Sequence, residues 1–369
     1  MSKILLALFS FLAIVGWLQY RRILHPDKDV VLHHYESCSR LNSTGSFIDF
    51  TYYEDSVIAA EDDLISIYTE GPKNAKSGRL LLIEKIASNN PTITELSIQN
   101  FPADVGFHPF ALYLVKPNTL YVLNHAFHEG GTRVEIFNIT ETTANYYNFF
   151  NFYPDLQGIF GDFIIDTDNE AYFTQFTPIP MPSDGGPIPV TQKFLTLLSD
   201  ILQLANTYIY YCKFSVNSTA DCMPLNQTEA ISITGITKNK FGDYYVAYSS
   251  IDYNWISEYT KSSNGNLNEK FKLGLRDRTE KILYDEYTQR VYGGAVPWQF
   301  QAFGDGSVVG GAIEVKDWEH KTGLVYRRLF TQEGIFKGAS CAIRIGDYVL
   351  TGSYLDKGGL ICPIVSPKN

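Results

Sequence analysis

Basic charge is scarce in this chain. Thirty Lys and Arg stand against forty Asp and Glu, a formal charge of −10, which argues against a nucleic-acid partner, since that polymer selects basic faces. Charged residues of all kinds reach only 19% beside 45% hydrophobic, so the chain is not a disordered tail. Short chemical motifs are missing too. There is no nucleophile elbow, no Cys–His pairing at family spacing, no zinc spacing and no phosphate loop. Gly304-Asp305-Gly306 and Gly310-Gly311 read as hairpin glycines, and the adjacent His33 and His34 would point to opposite faces of a strand. Beyond Ser43-Thr44-Gly45 and Ser366-Pro367 no linker interrupts the chain, which predicts one domain over residues 23–369 after a segment at 1–22.

That first segment is apolar and uncharged from Ile4 to Tyr20, with Lys3 before it and Arg21-Arg22 behind. It falls short of the roughly 20 residues a bilayer span prefers and ends without a small-x-small cleavage site. We read it as an uncleaved signal anchor with the body in the lumen of the endoplasmic reticulum or secretory pathway. Four Asn-x-Ser/Thr sequons, at Asn42, Asn138, Asn217 and Asn226, set that orientation and predict a glycoprotein. The five cysteines fit the same oxidising compartment. Cys38 and Cys362 lie near the two ends of the folded part and form the first expected disulfide; Cys212 and Cys222 form the second, and Cys341 is left over.

What the chain has in quantity is aromatic residues, 25 Tyr and 24 Phe, set in short β-rich runs. One stretch, Asp104 to Phe137, shows the unit. Leu120–Asn124 and Arg133–Phe137 are strand-like and joined through Glu129-Gly130-Gly131-Thr132, while Phe107-His108-Pro109-Phe110-Ala111-Leu112 leads in like a loop beside a site. Tyrosine-centred runs recur at Tyr68, Tyr121, Tyr172, Tyr245, Tyr292 and Tyr348, at spacings near 50 residues with one longer gap. All-β content at that period predicts a six-bladed β-propeller, and a Cys38–Cys362 bond would clasp its first and last strands in one blade. The longer gap holds an insertion at about 174–210, with five prolines followed by an amphipathic helix over 191–206. Such a face suits a lid on the propeller or contact with a membrane interface.

Two carboxylate positions draw notice, Glu54-Asp55 and Asp162, because carboxylates converging on a propeller channel make a calcium-type site. On these features, and on the stretches Ser77–Ile83, Phe107–Phe137 and Leu350–Pro363, the chain resembles the paraoxonase/arylesterase family from about residue 38 to 364. The resemblance implies a six-bladed propeller on an uncleaved anchor, an N-to-C disulfide matching Cys38 and Cys362, a lid helix near 191–206 and two tunnel calcium ions. It implies a structural calcium at Asp55, the Leu112 carbonyl and Asp162. For the catalytic calcium it implies Glu54, Gly161, Thr234, Glu280 and Lys281. Four of those five depart from the family pattern, and Phe110 stands where the family has its catalytic histidine, although His125 matches the second one. Lys281 is then expected to put its ammonium where that ion would lie, paired with Glu54 and Glu280, because buried carboxylates need a counter-cation. Two functions follow. One is calcium-dependent hydrolysis of aryl esters or lactones. The other, favoured by the departures, is a non-catalytic lumenal binding or assembly factor for a membrane protein.

Overall fold

The computed structural model describes residues 37–364 except 89, 116, 181–185, 187, 203, 251–253, 297–308, 318–323 and 334–335. The expected anchor at 1–22 and the glycines at 304–306 lie outside these residues. Among the described residues, no helix is long and apolar enough to cross a membrane.

The described strands form six mainly antiparallel sheets arranged as blades. A short strand, β1 (Ser39–Leu41), precedes blade I, which is β2 (Ser46–Tyr53), β3 (Ser56–Asp62), β4 (Arg79–Glu84) and β5 (Thr92–Glu95). Blade II is β6 (Ser97–Gln99), β7 (Pro109–Val115), β8 (Thr119–His125), β9 (Thr132–Ile139) and β10 (Thr143–Asn151), with β6 added in parallel on β10. Blade III is β11 (Phe160–Thr167), β12 (Glu170–Gln175), β13 (Ile209–Lys213) and β14 (Asp221–Pro224), and blade IV is β15 (Ile233–Lys238), β16 (Asp243–Tyr248), β17 (Asn254–Lys261) and β18 (Leu267–Leu275). Blade V is β19 (Arg278–Asp285), β20 (Arg290–Val296), β21 (Val309–Asp317) and β22 (Leu324–Glu333). Blade VI takes β23 (Ala339–Ile345), β24 (Tyr348–Ser353) and β25 (Gly359–Pro363), and receives β1 as its outer strand. Neighbouring innermost strands touch all round the ring, so the propeller closes on itself.

Both disulfides form. Cys38–Cys362 ties the β1 end to β25, and Cys212–Cys222 spans directly opposed residues of β13 and β14. The ring is thus shut covalently within blade VI, as the sequence led us to expect. Five of the six repeating tyrosines fall on the second strand of a blade, as Tyr121, Tyr172, Tyr245, Tyr292 and Tyr348 do.

The sixth does not. Leu64–Tyr68, read as a strand from its composition, lies in a helix, α1 (Leu64–Glu70). Leu64 and Ile67 are buried while Ile65 is exposed, a spacing of three that suits a helix face and would split across the two faces of a strand. Gly71, at φ 92°, ends the helix, a backbone conformation that glycine adopts at little cost. In the insertion, α2 (Val190–Leu202) forms close to the expected span. Its Val190, Leu195 and Leu202 are exposed.

A feature repeats at the centre. Each innermost strand carries a register irregularity near its start: between Phe47 and Asp49, Pro109 and Ala111, Phe160 and Asp162, Ile233 and Gly235, Thr279 and Ile282, and Ala339 and Ala342. A bulge turns side chains that alternation would send elsewhere. These six positions ring the propeller axis and decide what the tunnel holds.

Candidate functional site

Two of the six bulges bring aspartates, and both act as braces between blades. Asp49 Oδ1 accepts the Phe50 N–H at 2.8 Å and Oδ2 the Leu112 N–H of blade II at 2.8 Å. Asp162 repeats the pattern two blades on, accepting Phe163 N–H and the Ile236 N–H of blade IV, each at 2.9 Å. Between them lies Lys281 from blade V. Its Nζ donates to the Gly161 carbonyl at 2.6 Å and stands 3.6 Å from both Asp49 Oδ2 and Asp162 Oδ1. The Phe110 ring lies 5.0 Å from the same nitrogen, within cation–π range. All three charged side chains are buried. Burial raises the pKa of both aspartates against the opposing pull of Lys281, and Asp162 is pushed up to about 7. The raised carboxyls and the nearby Lys281 both reduce the uncompensated negative charge that two buried aspartates would otherwise carry.

Apolar side chains pack beside this cluster. Ile48, Leu64 and Ile67 pack with Phe110, Phe127 and Tyr354, which seats α1 over the axis. Phe110 also contacts Phe176 and His125 at ring-centroid distances of 5.8 and 4.8 Å. His125 is enclosed here with both nitrogens engaged. Nε2 meets the Phe160 carbonyl at 3.1 Å and Nδ1 the Thr132 hydroxyl at 3.1 Å. A carbonyl only accepts, so Nε2 carries the proton and Nδ1 accepts from Thr132. Desolvation pushes the imidazole down to about 3. His125 is a neutral brace between blades II and III, with no free lone pair for water.

The structure brings together only part of the residue set that the sequence suggested. Lys281, Asp162 and Gly161 meet in the tunnel, with Phe110 beside them. Glu54 and Asp55 do not join them: they are exposed on the hairpin turn between β2 and β3, with Glu54 at φ 52°. The carboxylate that faces Asp162 is Asp49, carried inward by its bulge. Leu112 serves the site through its N–H rather than as a cation ligand. Glu280 is ion-paired with Arg278, and Thr234 donates to the Thr279 carbonyl at 2.8 Å. Lys281 thus pairs with Asp49 and Asp162, not with Glu54 and Glu280.

These residues do not fit a divalent cation. The space between the two tunnel carboxylates holds an ammonium, and each aspartate already spends an oxygen on a neighbouring blade's amide. Among the described residues no group of three or more His, Cys, Asp or Glu has metal-ligand geometry.

A second polar site lies off the axis, and only its loop had drawn notice in the sequence. His108 Nδ1 sits 3.1 Å from both oxygens of Asp62, at the end of β3. The His108 N–H donates to Asn124 Oδ1, and Asn124 in turn donates to Gly106 O and to Glu135, which Arg133 grips through two nitrogens. Burial raises the Asp62 carboxyl, opposed by the hydrogen bond from His108. His108 lines a cavity of about 180 Å³ together with Lys73, Ser77, His128 and Glu129.

Fold and site together define a six-bladed β-propeller whose axial cation is a lysine side chain. No protein-family model matches the chain, and no curated protein matches it. Solved propeller structures do. A putative gluconolactonase has 12% identity and a TM-score of 0.48, covering 90% of this chain and 93% of its own. A PQQ-bound aldose sugar dehydrogenase from Streptomyces coelicolor has 10% and 0.47, covering 90% and 99%. A catalytically inactive virginiamycin B lyase from Staphylococcus aureus, solved with quinupristin, has 11% and 0.44, covering 89% and 99%. At that likeness none of them speaks to what this chain binds or does.

Proposed function

We propose that this chain is a membrane-anchored lumenal glycoprotein, a divergent relative of the paraoxonase/arylesterase propellers, that works as a binding or assembly scaffold rather than as a calcium-dependent hydrolase. The observation that carries the reading is Lys281 Nζ, 2.6 Å from Gly161 O and 3.6 Å from each tunnel aspartate. A metal-dependent hydrolase needs a Lewis acid with an open coordination position to polarise a carbonyl and hold the oxyanion. An ammonium tethered from blade V balances the carboxylates but offers no such position. Among the described residues, Phe110 packs against the ammonium and His125 has both ring nitrogens engaged, so the residue at the family's second histidine position is not free to act as a base. The compartment is supported by two formed disulfides and by the exposure of all four sequon asparagines, Asn42, Asn138, Asn217 and Asn226.

The test is hydrolysis of aryl esters and lactones by the purified full chain, with calcium and with chelator, alongside thermal melting in both. Scaffold function predicts no chelator-sensitive turnover and the same melting temperature in both conditions. Turnover that chelator abolishes would return the chain to calcium-dependent aryl-ester or lactone hydrolysis and end the scaffold reading.

A further inference from the structure

We propose that the cavity beside the Asp62–His108 pair is a binding site for a neutral polyhydroxylated ligand the size of one sugar ring. The inference deepens the scaffold reading by naming a ligand class. Its evidence is separate from the tunnel.

The site is built, not incidental. His108 is 7% exposed and Asp62 3%. Asp62 holds Nδ1, which fixes the ring's orientation and leaves Nε2 as its other polar atom. That atom has no hydrogen-bond partner among the described residues and is not among their buried unsatisfied atoms, and His108 is part of the cavity lining. From below, the buried Asn124–Glu135–Arg133 network holds the His108 backbone. At the far wall Gly106 donates its N–H to the Glu129 carbonyl at 2.9 Å, which seats the β8–β9 loop carrying His128 and Glu129. The Glu129 side chain lies over Gly106, where a Cβ would stand 2.9 Å from Oε2 and 3.3 Å from the Glu129 Cβ.

The chemistry of the lining selects the ligand. Lys73 donates, Glu129 accepts, and His108 Nε2 and Ser77 can do either. Lys73 and Glu129 are opposite in formal charge, Glu129 stands 3.5 Å from His128 Nε2, and the Asp62 carboxylate lies behind His108, so an anion meets a lining of mixed sign. Lys73 equally opposes a cation. A hydroxyl group, which donates and accepts at once, matches such a lining at each point. The volume is well below the roughly 300 Å³ at which drug-sized pockets begin. One pyranose ring fits that limit, whether free or at the end of a glycan.

The test uses saturation-transfer NMR on the full chain with methyl hexopyranosides, then with a glycopeptide carrying an N-glycan, and with acetate and methylammonium as ionic controls. Saturable binding of at least one pyranoside is expected, weakened about tenfold in His108→Leu by loss of one well-placed hydrogen bond. In the double variant Lys73→Ala/Glu129→Gln, both residues lie at the rim, so the fold persists and a several-fold loss is expected even where His108→Leu fails to fold. Tighter binding of the glycopeptide assigns the ligand to glycoprotein chains; equal binding assigns it to free sugars. No saturable pyranoside signal, ions binding better than sugars, or unchanged affinity in the rim double variant would each overturn the proposal. Chelator-sensitive hydrolysis would remove the tunnel reading and leave this site standing, while absent sugar binding would do the reverse.

Discussion

A single buried ammonium decides how the centre of this molecule is held. Removing one partner of a buried charge cluster costs about 3–5 kcal/mol, because the charges left behind lose their compensation. Lys281→Met should therefore destabilise the fold by about that much, as denaturant midpoints would report. It also frees the space between Asp49, Asp162 and the Gly161 carbonyl, all oxygen donors. Added calcium is expected to raise the melting temperature of the variant and not of the native chain, since a ligand of the folded state alone stabilises it. A variant indifferent to calcium would mean that these three oxygens do not form a cation site. The aspartates carry a pH signature as well. Asp162 is raised from 3.8 to about 7, so the folded chain keeps a proton that the unfolded chain has released. Its contribution is full below about pH 4 and is lost as pH rises through 7. His125 runs the other way, lowered from 6.5 to about 3, so its contribution is present above 6.5 and fades as pH falls. Comparison with Asp162→Asn separates the two. The stability advantage of the native chain over that variant should shrink by about 2–3 kcal/mol between about pH 5 and about pH 8. A constant difference over that range would show that Asp162 ionises normally.

At the scale of the element, α1 packs against residues of the inner strands. Ile67 is 1% exposed and packs into the cluster with Ile48, Leu64 and Phe110. Ile67→Ala is expected to cost about 2–4 kcal/mol from lost burial and the cavity left behind, and to speed amide exchange in α1 before the blades. Equal acceleration in all blades would mean that the helix is not a separate unit. This helix and the tunnel pair also mark the limit of reading the sequence. Blade number, five of the six tyrosine-centred strands, both disulfides and the insertion helix were legible, because period, alternation and cysteine position are local or one-dimensional signals. Asp49 was not picked out, although a signal existed. Phe-x-Asp-Phe occurs at Phe47–Phe50 and again at Phe160–Phe163, and the two aspartates occupy matching bulges of blades I and III. The more conspicuous acidic pair, Glu54-Asp55, is carried to the surface by the β2–β3 turn. Asp62 and His108 escaped for a different reason. They are 46 residues apart, and only the closing of blade I against blade II makes them neighbours.

Over the whole molecule the question is what keeps six blades in a ring. Much of the answer is polar and runs between blades: Asp49 to Leu112, His125 to Phe160, Asp162 to Ile236, Thr237 to Tyr284, and Ser340 to Phe47. Four of these contacts join consecutive blades and would hold in an open array. Ser340 to Phe47 joins blade VI to blade I and rewards only the closed ring, which leaves the seam in blade VI as its natural opening point. There β1 pairs with β25 over three residues alone, so the covalent clasp carries what so short a ladder leaves undone. The two disulfides close loops of very different length, with sequence separations of 324 and 10. On the chain-entropy scale that difference makes the Cys38–Cys362 bond worth about 5–6 kcal/mol and the Cys212–Cys222 bond about 3 kcal/mol, both as upper bounds. Cys38→Ser/Cys362→Ser should therefore lower the denaturant midpoint about twice as far as Cys212→Ser/Cys222→Ser. The first pair of substitutions should also raise proteolysis at the blade VI seam, while the second loosens only the outer edge of blade III. Equal losses, or cleavage spread over all blades, would place the weak point of the ring elsewhere than at its clasp.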